Sequence, residues 1–243
     1  MNAVAAALAV LLLAMPASAD RSHVLIGRSV RGRGINAVEL GNPRGANKML
    51  VVGCIHGNEC AGLAIVEALE RLPTPPSLDL SVIENLNPDG YAAGTRQNAH
   101  GVDLNRNFPW AWRRLSGVYD SGPRPLSEPE SRVAFRLILR VRPGISIWFH
   151  QHERVVDESG GDLGIERRFS ELVGLPLRRL PREPGSAVGW ENHRLPGTTA
   201  FVWKSFMLTV VPLMAGWKTS SDQIGSVMSP APGGVTEGSG RMS

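Results

Sequence analysis

The sequence predicts an α/β fold of three layers: helices on both faces of a mixed, mostly parallel sheet, with a site at the carboxyl edge of the strands. Three observations point there. Short apolar runs suited to buried strands (residues 49–55, 80–86 and 145–149) alternate with stretches of helical pattern. Residues 51–66 read as strand, tight turn and helix, the arrangement by which open α/β sheets expose ligands. About 224 residues follow an apolar leader, enough for one such domain with a sizeable core.

The leader, residues 1–19, has no charged side chain and is mostly Ala, Val and Leu. It ends Pro16-Ala17-Ser18-Ala19, small residues where a signal peptidase reads, and its apolar run is too short to span a membrane. The positive residue expected near Met1 is missing. The reading is a signal peptide over residues 1–19, export to the periplasm or beyond, and a mature chain from Asp20 with no membrane span. Hydrophobic and charged fractions of 42% and 20% are ordinary for a soluble protein. The net charge of +4 comes without any basic run interleaved with aromatics, so nucleic acid is not implied. An Arg-heavy surface suits polyanionic surroundings such as a cell wall. No pattern in the chain speaks to its oligomeric state.

In order along the mature chain, residues 23–30 and 35–40 read as two strands joined by the turn Arg31-Gly32-Arg33-Gly34. The run 49–55 is a strand that stops at His56-Gly57-Asn58-Glu59, two metal-capable side chains three residues apart on a glycine-containing turn. Imidazole and carboxylate both suit Zn²⁺, which takes three protein ligands at a catalytic site. Cys54 and Cys60 flank that turn and are the only cysteines. Export permits a disulfide, but placement in a strand and at a helix start favours each packing as a small hydrophobe. The helix after Glu59 presents Leu63, Val66, Ala68 and Leu69 on one face and ends before Pro73.

Residues 80–86 form the next strand, running into the turn Asn87-Pro88-Asp89-Gly90. Residues 91–109 then make a loop without regular pattern, the kind that inside a compact domain is functional or disordered. It gathers Arg96, Asp103, Asn105 and Arg106, donors and one acceptor that can converge on an anion. Residues 129–141 read as a helix opened by Pro129 and stopped by Pro143-Gly144. The strand 145–149 leads to His150-Gln151-His152-Glu153, in which alternation aims His150 and His152 to one side.

The ordered motifs His56-Gly57-Asn58-Glu59, Asn87-Pro88-Asp89-Gly90 and Asp103-Leu104-Asn105-Arg106-Asn107-Phe108-Pro109 resemble the zinc metallocarboxypeptidases, most of all their murein peptide amidase-type members. The resemblance covers residues 50–202 and implies a zinc-dependent hydrolase acting on a peptide or amide bond near a free carboxylate, with peptidoglycan stem peptides as substrate. It implies that His56, Glu59 and His150 hold zinc, and that Asp103 orients His56. It further implies that Arg96 stabilises the oxyanion while Asn105 and Arg106 bind the substrate carboxylate. His152 is the competing choice for the third ligand.

One part departs from the family. Its catalytic glutamate, the general base, sits on a late strand reached here by Leu195-Pro196-Gly197-Thr198-Thr199-Ala200-Phe201-Val202. The chain then reads Trp203-Lys204-Ser205-Phe206, with no acid before Asp222. A one-base deletion accounts for this economically, since codons for Val-Glu-Glu-Leu read one base later give Trp-Lys-Ser. The domain reading is therefore a catalytic domain over residues 20–202 and an aberrant or divergent tail over 203–243, whose end has a disordered composition. Two other functions fit parts of the pattern: an aspartoacylase or succinylglutamate desuccinylase-like deacylase, and a zinc-containing binder of cell-wall peptides without catalysis.

Overall fold

The computed structural model describes residues 20–205. The leader and the tail beyond residue 205 lie outside the described residues, and with them the packing expected of the tail. Eight strands form one sheet: β1 (Asp20–Arg28), β2 (Gly34–Gly41), β3 (Asn47–Val52), β4 (Leu78–Ile83), β5 (Ile145–His150), β6 (Val155–Asp157), β7 (Leu177–Arg178) and β8 (Thr199–Lys204). Their spatial order is β1-β2-β4-β3-β5-β8-β6-β7. The pairs β3–β4, β3–β5, β5–β8 and β6–β7 are parallel, and the pairs β1–β2, β2–β4 and β6–β8 are antiparallel. The sheet is mixed and mainly parallel, as the sequence predicts.

Among the described residues five α-helices accompany it: α1 (Gly62–Arg71), α2 (Pro88–Ala93), α3 (Pro129–Val141), α4 (Leu163–Val173) and α5 (Ala187–Arg194). Four of them cover the two faces. On one, Ile65, Val66 and Leu69 of α1 and Phe169 and Val173 of α4 pack on Val51, Ile147, Phe149, Phe201 and Trp203. On the other, Val133, Leu137 and Ile138 of α3 and Val188 and Trp190 of α5 pack on Leu50, Val52, Trp148, Ala200 and Val202. Coverage from both sides explains why β5 is a continuous apolar run with every residue buried.

Helix α3 has the expected bounds, with Pro129 in its first turn and Arg142 in the left-handed conformation at its end. Elsewhere the structure departs from expectation. Asn87-Pro88-Asp89-Gly90 is the opening of α2, not an isolated turn: the Asn87 side chain accepts from the Gly90 N–H at 2.9 Å and Pro88 occupies the first helical position. The loop over 91–109 likewise contains the end of α2 and a 3₁₀ turn at Leu104–Arg106. On α1 the buried residues are Gly62, Ile65, Val66 and Leu69, while Leu63 and Ala68 are only half-buried. Cys54 and Cys60 form a disulfide, with Cα atoms 4.7 Å apart, where separate packing was expected. The turn between them folds back so tightly that a residue two positions past the end of β3 and a pre-helix residue become neighbours. β8 runs from Thr199 through Trp203 to Lys204.

Candidate metal centre

Three strand ends and one turn bring the site together. β3 delivers the turn bearing His56 and Glu59, β5 ends on His150, and β8 runs beside β5 in register. The turn rests on the start of α2 at van der Waals contact: a Cβ at Gly57 would lie 2.0 Å from the Gly90 carbonyl carbon. Only glycine permits that approach. Asp89 ties the same region to the β1–β2 turn, accepting from the Arg31 N–H at 2.9 Å and from Arg33 Nη1 at 2.6 Å.

One donor atom from each of His56, Glu59 and His150 lies within 4.8 Å of the others, and all three residues are buried. Glu59 Oε2 is 3.3 Å from His56 Nδ1 and 3.0 Å from His150 Nδ1. On the far side of the ring, His56 Nε2 is 2.8 Å from Asp103 Oδ1. That contact fixes the proton on Nε2 and turns the Nδ1 lone pair inward. Buried, Nδ1 has no hydrogen-bond partner. An orphaned lone pair facing a carboxylate and a second imidazole is what a bound divalent cation satisfies, and two imidazoles with one carboxylate suit zinc. The residues fit the metal.

Electrostatics agree. Burial opposes the charge of Glu59, but its contacts with His150 and His56 outweigh this and hold its carboxyl far below the usual range. Asp103 is likewise ionised despite complete burial, through His56, Arg96 and Arg106. Burial pushes His150 down to about 4, so its imidazole is neutral near pH 7. His152 is exposed and stands apart from the cluster, because β5 ends at His150 and strand alternation does not reach it.

The four loop residues converge as the sequence predicts. Arg96 Nε donates to Asp103 Oδ2 at 2.9 Å and its Nη1 to Glu59 Oε1 at 2.6 Å. Asn105 accepts from the Ala187 N–H at 3.0 Å, which turns its amide nitrogen toward His150 Nε2, 3.5 Å away. Arg106, almost fully buried, donates to the Asn105 carbonyl at 3.0 Å and meets the half-exposed Glu183 at 3.2 Å, while its Nε has no partner. Arg96, Asn105 and Arg106 line a cavity of about 350 Å³ together with Asp157, Ser159 and Arg182. Two features escaped the sequence reading. The Tyr119 ring lies under both guanidiniums, 5.4 Å from Arg96 and 5.2 Å from Arg106, and Gln151 bridges the site by accepting from the Ala61 N–H at 3.0 Å. Tyr119 closes a single 3₁₀ turn, Gly117–Tyr119, too short to give a periodic signal.

No acid from β8 reaches the cavity. Val202 and Lys204 line it, Lys204 pairs in register with His150, and its Nζ donates to Glu153 at 2.8 Å.

The family profile described as zinc carboxypeptidase matches residues 14–157. Murein peptide amidase A of Escherichia coli (strain K12) is 36% identical over 158 residues, 58% of this chain and 64% of that protein. Its counterpart from Vibrio campbellii is 35% identical over 162 residues, 60% of this chain and again 64% of the relative. The chain thus spans just under two thirds of the length of these relatives. Among solved structures, the murein-tripeptide amidase of Escherichia coli O157 superposes with a TM-score of 0.66 at 24% identity, covering 85% of this chain and 94% of that one. The Helicoverpa armigera carboxypeptidase A gives 0.67 at 18% identity over 86% and 67%. With the profile spanning more than half its length and the matching sheet built around a His–Glu–His cluster, the chain belongs to the zinc carboxypeptidase family.

Proposed function

We propose that the chain is a zinc-dependent peptidase or amidase acting on a bond next to a free carboxylate, and that its substrates are stem peptides of peptidoglycan. The observation that carries this reading is one cavity lined by Glu59 and His150, which cluster with the buried His56, and by the anion donors Asn105 and Arg106. A carboxylate gripped there leaves the neighbouring amide bond at the metal centre. Zinc, when bound, supplies Lewis acidity and lowers the pKa of a bound water.

The protein's own groups do the rest. Asp103 holds His56 in the tautomer that presents Nδ1. Arg106 offers its planar fork to the carboxylate, exchanging Glu183, which is 47% exposed and so a weakly holding partner. Arg96, freed from Glu59, donates where negative charge develops on the scissile carbonyl oxygen. The choice of peptidoglycan rests on the murein peptide amidases among the relatives and on the Arg-rich composition. Export is part of the proposal, supported by the leader over residues 1–19 and by a disulfide suited to an oxidising compartment. Recovering the protein from a cell envelope fraction with Asp20 as its first residue checks that step.

One observation favours a second reading, a zinc-containing binder of cell-wall peptides: beside His150, β8 presents Lys204 to the cavity and no acid that could take a proton from water. Incubating the zinc-loaded chain with a stem tripeptide, its C-terminally amidated form and an N-acyl amino acid separates the alternatives. Cleavage of the free-carboxylate peptide alone, read by mass spectrometry, supports the peptidase. Tight calorimetric binding without cleavage supports the binder. Turnover of the N-acyl amino acid in preference to peptide overturns both.

A further inference from the structure

The turn that carries His56 and Glu59 is closed covalently. Cys54 and Cys60 are bonded to one another, six positions apart, and the segment between them holds both residues. Regular structure contributes little here, since β3 ends at Val52 and α1 begins at Gly62. Besides the side-chain contacts of His56 with Asp103 and of Glu59 with Arg96 and His150, the segment is fixed by scattered hydrogen bonds: the Leu86 N–H to the Cys54 carbonyl at 2.8 Å, the Glu59 N–H to the His56 carbonyl at 2.9 Å, and Ala61 to Gln151. Cys54 is fully buried at the strand end, whereas Cys60 stands half-buried before the helix. The disulfide therefore ties the half-buried side of the turn to its fully buried side, across both candidate ligands.

We infer that the Cys54–Cys60 disulfide is a positioning element for metal binding. It holds His56 and Glu59 at their separation before the ion arrives, so the ion does not have to order the turn on binding. It also keeps two sulfurs, one adjacent to Glu59 and one two residues from His56, out of the ligand set. Free thiolates are soft, competent zinc ligands and would compete with the His–Glu–His set. The inference rests on reading His56, Glu59 and His150 as the zinc ligands.

The test compares the Cys54→Ala/Cys60→Ala double variant with the unaltered protein. Zinc affinity is read by chelator competition, the ligand field by the absorption of the cobalt-substituted protein, and stability by the Tm of the metal-free form. The expected result is zinc binding weaker by ~10–100-fold, the range found when groups that orient metal ligands are lost, with a changed cobalt spectrum. Leu137→Ala, a core substitution on α3, serves as control: it should lower Tm while leaving zinc affinity within about twofold, since it touches no ligand. Should the double variant not fold, the folded parent is treated with a phosphine and the two freed thiols are alkylated before zinc is added, so that they cannot bind it themselves. The phosphorus takes the oxygen of a water molecule, the S–S bond receives two electrons, and each sulfur leaves as a thiol. Weaker zinc binding after that treatment supports the inference. Unchanged or tighter binding, in either arm, overturns it, as does finding two alkylatable thiols in the air-isolated protein. If His150→Ala binds zinc as well as the parent, the ligand reading has failed instead, and the two failures are distinguishable.

Discussion

At the scale of single residues, the site turns on which atoms are left without partners. His56 Nδ1 is such an atom, and the direct check is stoichiometry: about one zinc per chain, lost on replacing His56, Glu59 or His150 with Ala and retained in His152→Ala. Loss of metal in His152→Ala alone would show the ligand assignment to be wrong. The two arginines should separate in their effects. Arg106→Ala is expected to weaken binding of a free-carboxylate peptide by ~10–100-fold, the worth of a charge-assisted pair, with no change for the amidated peptide. Arg96→Ala should leave binding near that of the parent and lower turnover instead. A third residue governs stability. Glu191, fully buried on α5, accepts from Ser146 Oγ and from Trp148 Nε1 at 2.7 Å, and burial pushes it up to about 7. A carboxyl whose folded pKa is raised contributes stability that is complete below its unfolded value near 4.5 and lost as pH rises through about 7. Urea unfolding should therefore show Glu191→Gln flattening the decline between pH 5 and 8, by a few kcal/mol at most. Identical pH slopes would remove Glu191 from that account. His56, Glu59, Asp103, Asn105 and Arg106 were legible in the sequence because they stand in compact ordered motifs. Tyr119 and Gln151 were not, since their roles come from the path of the chain through space.

Between residue and fold lie the elements, where pattern length decides what can be read. Helix α3 was found with its bounds because thirteen residues of helical periodicity begin at a proline and end against another. β6 and β7, at three and two residues, are too short to show a period, and neither was anticipated. α4 and α5 were also missed, although each has a side-chain cap, Asp162 accepting from Gly164 and Ile165 and Ser186 from Gly189. In α5 few apolar residues set among Gly, Glu and Arg mask the periodicity, whereas α4 carries a clear one in Ile165, Phe169 and Val173 and was legible in principle. β8 offers the sharpest test at this scale. Val202 and Lys204 face the cavity, while Phe201 and Trp203 face the opposite core. Of the two positions after Val202, therefore, only residue 204 can present an acid to the site. Lys204→Glu is expected to raise hydrolysis by ~10²–10⁴-fold, the usual contribution of a positioned acid or base. Trp203→Glu should instead bury an unpaired charge and destabilise the protein without a gain in rate. Equal gains from both would mean that the alternation along β8 does not govern access to the site.

For the whole molecule, the decisive feature is where β8 sits. The alternation of apolar runs and helical patterns made the three-layer class legible, but no local signal ranks strands across a sheet. β8, last of the described strands in sequence, lies inside the sheet between β5 and β6. Its Phe201 is completely buried and packs on Phe169, ring centroids 4.9 Å apart. Phe201→Ala should cost ~3–5 kcal/mol in chemical denaturation, as for a large aromatic in a close-packed core, and a cost below ~1 kcal/mol would contradict the interior placement. Strand order also bears on how the chain is made. A ribosome releases β5 and β6 well before β8, so a nascent chain carries two unpaired strand edges at what will become the middle of its sheet. Those edges are the template on which neighbouring unfinished chains would pair. The hazard ends when Thr199–Lys204 slots between them, a pairing whose β5 partner was synthesised 54 residues earlier. Yield in a cell should then follow translation speed through Thr199–Lys204 and the supply of holdase chaperones, more than the stability of the finished protein.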